Sequence, residues 1–117
     1  MIFKQWKYKT LELMLIERGF SNLGTYFCGY VKVPECIDSS KLKWHTPDCS
    51  GLDMFDVFGG VTWFGPLQDV EDDSKYIGFD TAHYCETSLT EKDAKKETEH
   101  LADQLYDYFL SIDGYGK

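Results

Sequence analysis

Between residues 88 and 112, Ala94, Thr98, Leu101, Ala102, Leu105, Tyr108, Phe109 and Ile112 recur at steps of three and four. That spacing winds them into one apolar stripe along an α-helix. Lys92, Lys95, Lys96, Glu99, Asp103 and Asp107 fall on the opposite face, which is expected to be solvated. Thr90 followed by Asp93 resembles a capping box with Asp in place of Glu, Glu91 adds first-turn acidity, and Gly114 suits a stop. A helix that is apolar on one side has to bury that side, so the rest of the chain must offer it a surface.

Upstream, that surface reads as a sheet. "TLELMLIERG" (10–19) alternates Leu11, Leu13 and Leu15 with Glu12, Met14, Ile16 and Arg18. Period two predicts a strand with one face buried and the other mixed. Leu, Glu and Met also favour helices, but the next segment decides. "GFSNLG" (19–24) is turn chemistry, and "TYFCGYVKVP" (25–34) is rich in β-branched and aromatic residues. The two runs make an antiparallel hairpin, and Pro34 ends the second by removing a ladder donor. Phe3, Trp6 and Tyr8 suggest an earlier strand.

Residues 35–51 show no period and, with Pro47 and Gly51, read as a long connection of the kind that often carries function. Apolar residues at 52, 54, 55, 57 and 58 predict a short strand, Gly59–Gly60 a break, and residues 61–64 a second strand. The Gly-Gly step allows positive φ or close backbone approach; with no Lys-Ser/Thr and no helix after it, it is not a phosphate loop. Residues 65–74 are an acidic loop, and "KYIGFD" (75–80) is a strand expected to pair with 61–64 across it. The expected fold class is α+β: a small antiparallel, twisted β-sheet with one long C-terminal helix packed on it, in a single domain over residues 1–117.

The 117 residues are 43% hydrophobic and 16% aromatic, enough for a core without a disulfide or metal. Net charge is −8, from 20 acidic and 12 basic residues. That balance argues against direct nucleic-acid binding, which needs clustered Lys and Arg, and suits a partner with a basic surface. No run approaches a membrane span, and Glu12 and Glu17 break the apolar stretch that a leader would need, so action in the cytoplasm is expected. There the cysteines at 28, 36, 49 and 85 stay reduced. Cys36, His45 and Cys49, with Cys85 or His83, suggest zinc ligands. They lack the paired short spacings of zinc motifs, so buried or idle thiols are the favoured reading and no cofactor is expected.

The candidate site centres on "YIGFDTAH" (76–83), where Asp80 and His83 follow an apolar run. Three readings stay open. Asp80 is a turn clasp that accepts backbone N–H groups, with His83 bonded to it or to a loop carbonyl. Or the strand ends form a binding site. Gly59, Gly60 and Thr62 would then sit beside Asp80 and His83, with Trp63, Tyr76, Phe79 and Tyr84 as flat surfaces for a nucleotide or a partner's side chain. Or His83 is a general base oriented by Asp80 and assisted by Glu86 or His45 on a metal, although no hydrolase motif supplies the nucleophile. In the long connection, Trp44 and His45 read as a packed anchor or as ligand contacts.

The run "CGYVKVP … GGVTWFG … YIGFDTAH", followed by a C-terminal helix, resembles a family of small phage and prophage proteins. The family pattern is Gly-Tyr-Val-x-hydrophobic-Pro, then His-Gly-Gly-Leu-Thr-aromatic, then Trp-aromatic-Gly-Phe-Asp-Cys-Ala-His. It is matched here by Gly29, Tyr30, Val31, Pro34, Gly59, Gly60, Thr62, Gly78, Phe79, Asp80, Ala82 and His83. Phe58 stands where the family has its first histidine and Thr81 where it has cysteine, so a catalytic site built on that histidine would be missing. The resemblance implies a viral setting in the host cytoplasm. It is similar in kind to inhibitors of bacterial immunity, including anti-CRISPR proteins and sponges for nucleotide signals. The leading expectation is a non-enzymatic acidic inhibitor of a host defence protein; the alternatives are a nucleotide sponge and a metal-assisted hydrolase using His83.

Overall fold

The alternation that begins at Leu11 produces a strand, and it becomes the second of five. A computed structural model of the chain describes residues 2–20, 24–37, 55–57, 60–80 and 90–113. Strands β1 (Ile2–Tyr8), β2 (Leu11–Phe20), β3 (Gly24–Lys32), β4 (Trp63–Gly65) and β5 (Tyr76–Asp80) form one sheet, followed by helix α1 (Glu91–Asp113). The sheet order is β1-β2-β3-β5-β4, and each neighbouring pair is antiparallel. The architecture is therefore α+β with one long C-terminal helix, as the sequence predicts. Among the described residues no helix is long and apolar enough to cross a membrane.

β1 and β2 meet at a two-residue turn, Lys9–Thr10, with φ of 51° and 68°. Two positive φ values give the turn the twist that flanking strands need, here on residues with side chains rather than on Asn-Gly. Directly paired residues share a face of a sheet. The row Trp6, Leu13, Val31, Ile77 and Phe64 thus faces one way. It packs with Leu101, Ala102, Leu105 and Phe109 of α1 into the main core. The helix starts at Thr90, whose Oγ1 accepts the Asp93 N–H at 3.2 Å. Its polar face is not wholly solvated: the Trp6 indole donates to Glu99 at 3.0 Å, and Lys9 pairs with Asp103 at 2.9 Å. Both tie the β1–β2 hairpin to the helix.

The opposite face of β2 is mixed, as the sequence predicts: Glu12 is exposed and Arg18 half-buried, while Met14 and Ile16 are buried. Met14 and Ile16 pack with Cys28, Tyr30, Tyr76 and Leu67, and Val70 packs against them. Leu67 and Val70 belong to the acidic loop, which crosses this face as a strap between β4 and β5. Two ion pairs moor it: Arg18 to Asp69 at 2.9 Å and Lys32 to Asp72 at 3.6 Å.

The strand expected over 52–58 is not formed at its described residues, 55–57. The reason is visible at Asp56. Its N–H donates to Oε1 of Gln104 at 2.8 Å, and its carbonyl accepts from Nε2 at 2.7 Å. A side-chain amide on α1 takes the place of a strand neighbour. Phe55 and Val57 are buried in the helix-side core, Phe55 edge-on to Tyr108 with ring centroids 5.9 Å apart.

Candidate functional site

β5 lies between β3 and β4, which sets Trp63, Gly78 and Tyr30 in one row across three strands. Gly78 is required there: a Cβ would overlap the Tyr30 ring and lie 2.6 Å from the Gly29 carbonyl oxygen. The ring of Tyr30 fills that gap. Trp63, on the edge strand, is 42% exposed. Its indole N–H donates to the Gly65 carbonyl at 3.1 Å. Gly65 has φ of 148°, which residues with a side chain rarely adopt. A hollow of about 350 Å³ opens beside Trp63, walled by Arg18, Tyr30, Leu67 and Asp69.

Electrostatics here are set by Arg18. It donates to Asp69 at 2.9 Å and to the Tyr30 hydroxyl at 3.4 Å, with its guanidinium carbon 6.0 Å from that ring's centroid. Burial works against the Arg18 charge, but the Tyr30 and Asp69 contacts outweigh it and hold the proton more firmly than usual. Burial pushes the Tyr30 hydroxyl up to about 12, reinforced by Cys28 and opposed by Arg18. Burial likewise pushes the Cys28 thiol up, against a lowering hydrogen bond with Tyr30. A raised thiol is neither a nucleophile nor a ready metal ligand at neutral pH. The cluster is a charged, closed clasp, suited to holding a shape rather than to moving protons.

The predicted site residues divide. Thr62 is exposed, and its N–H donates to the Gly78 carbonyl at 2.9 Å, carrying the ladder one residue beyond β4. Gly60 has φ of 83° and open space where a Cβ would stand, so positive φ and not close approach explains the glycine. Asp80 is half-buried at the end of β5, paired with Cys28. Tyr76 is 3% exposed, a core residue and not a stacking platform, because β5 is an interior strand. Phe79 is 1% exposed and lies in the helix-side core, so it offers no stacking surface either. Gly59, His83, Tyr84, Trp44, His45 and Glu86 lie outside the described residues, as do Cys49 and Cys85. Cys36 is exposed. Among the described residues no three His, Cys, Asp or Glu side chains converge as a metal site.

The sequence marks Asp69 only as the start of the acidic run 69–73, and it does not single out Arg18 or Leu67 as site residues. The period-two pattern does place Arg18 on the face of Met14 and Ile16, where an arginine at the end of an apolar row needs an acidic partner. No protein-family model matches the chain, no curated protein matches it, and no solved structure matches it.

Proposed function

We propose that this chain is a non-enzymatic viral protein that inhibits a component of bacterial defence by docking on a basic surface of it. One observation carries the reading: an exposed tryptophan on an edge strand stands beside a strap of carboxylates. Asp69, half-buried, and Asp72 pair with Arg18 and Lys32, while Glu71 and Asp73 beside them are exposed, as Asp72 itself is. The two ion pairs fix the strap's path, so its exposed carboxylates are presented in a set place. Buried aromatic anchors with charged rims are the usual build of protein interfaces. The net charge of −8 would steer such a protein toward a basic partner. The phage-like pattern of the three glycine- and aromatic-bearing blocks supports the viral setting.

The test begins with recovery of the full chain from infected host cells and identification of the polypeptide that comes with it. Association with that polypeptide should slow steeply as ionic strength rises. Replacing Trp63 with Ala should weaken binding by about 30-fold, as loss of an interface anchor does. A salt-independent rate, or full affinity in the Trp63→Ala protein, overturns the reading.

A further inference from the structure

On the other side of the strap from Trp63, a second hollow of about 370 Å³ opens between the strap and the β1–β2 hairpin. Its size lies in the range of small-molecule sites. Met14 and Tyr76, 5% and 3% exposed, close its base with little more than their edges, and half-buried Val70 of the strap packs on them as its apolar wall. The rim is polar, and its charges are unevenly committed. Lys32 stands between Glu12 at 3.4 Å and Asp72 at 3.6 Å, so both carboxylates are turned to one ammonium. Lys7, paired in register with Glu12, also lines the hollow and makes no ion pair among the described residues. Gln5, in register with Met14, adds an amide at the same rim. The uncommitted groups are thus one cation and one amide beside an apolar wall.

We propose that this hollow binds a small molecule with a flat apolar ring and one anionic group. The ring lies against Val70, above the edges of Met14 and Tyr76, and the anion takes charge-assisted hydrogen bonds from Lys7, with the Gln5 amide beside it. The ligand is a different occupant from the protein partner proposed above and uses different residues. Two sources share this chemistry, an aromatic carboxylate and a nucleoside monophosphate, and each has its own probe. Indole-3-acetate and adenosine monophosphate are titrated into the full chain and followed by nuclear magnetic resonance, with indole and adenosine as uncharged controls.

At least one anionic probe should bind with a Kd below about 10 mM and shift the resonances of Met14 and Val70. Its uncharged counterpart should bind about tenfold more weakly. Lys7 is exposed, so Lys7→Gln leaves the fold intact and should cost about tenfold in affinity for the anionic probe alone. The Trp63→Ala protein should bind the probe like the parent, which separates this site from the partner surface. Failure of both anionic probes to bind overturns the proposal, and so does unchanged affinity in Lys7→Gln.

Discussion

Thr98 of α1 lies directly over the bare Cα of Gly29 in β3, where an added Cβ would overlap its Oγ1 and the ring of Phe79. Thr98 is fully buried, and its hydroxyl donates to the Ala94 carbonyl at 2.8 Å, so it cannot swing aside without losing that bond. The helix approaches the sheet this closely because β3 offers glycine at the crossing. Gly29→Ala should therefore destabilise the protein by about 2 kcal/mol, the usual cost of overpacking a tight core. Adding Thr98→Ala should restore part of that loss, because one of the two overlaps disappears. Urea unfolding of both variants measures the difference; additive losses would show that the two residues do not touch.

The Arg18–Asp69 pair makes stability depend on pH in a defined direction. Burial would raise the Asp69 carboxyl, but the hydrogen bond and charge of Arg18 pull the other way, and the net position is below the ordinary 3.8. A carboxyl depressed in the folded state contributes stability in full above its unfolded value and loses it as pH falls through the folded one. The parent should thus lose stability more steeply than Asp69→Asn as pH drops from 5 toward 2. The difference should be about 1 kcal/mol for this partly exposed pair. Urea midpoints across that range give the two slopes, and parallel slopes would remove Asp69 from the linkage.

What the sequence showed and what it hid follow from the range of the interactions. Leu11, Leu13 and Leu15 announce β2 because period two is local, and the stripe from Ala94 to Ile112 announces α1 for the same reason. Leu67 and Val70 carry no such signal. They are two apolar residues in an acidic loop, and they have meaning only against Met14 and Ile16, far away in the chain. Tyr76 shows the same limit at the candidate site. Its aromatic character is legible, but its burial depends on β5 lying between β3 and β4, an order that no local pattern encodes. Trp63 was legible as an aromatic on a short strand, but its place at the sheet's edge depends on that same strand order.

The β1–β2 turn holds strain that a single substitution should relieve. Thr10 is β-branched and has φ of 68°, a conformation costing roughly 1–2 kcal/mol for a residue with a Cβ. Glycine adopts it freely, and an Asn/Gly-type turn is the one this hairpin geometry favours. Thr10→Gly should raise stability by about 1 kcal/mol while leaving the Lys9–Asp103 pair, 2.9 Å apart, in place. Thermal and urea unfolding check the sign. A loss of stability would mean that Thr10's own contacts outweigh its backbone strain.

Gln104 fastens residues 55–57 to the helix by imitating a strand neighbour, accepting from the Asp56 N–H and donating to its carbonyl. The two bonds require an acceptor and a donor on one planar group, which only an amide side chain supplies. Glutamate has the same length and keeps the acceptor but turns the donor into a second acceptor facing the Asp56 carbonyl. Gln104→Glu should therefore free the segment more than its conservative shape suggests. The Asp56 amide should exchange with solvent at least tenfold faster than in the parent, corresponding to about 1.4 kcal/mol of local opening. Phe55 and Val57 remain apolar in the variant, so global stability should fall by less than that amount. Hydrogen exchange at Asp56 together with urea unfolding separates the two effects. An unchanged exchange rate would show that Phe55 and Val57, not the amide bracket, hold the segment on α1.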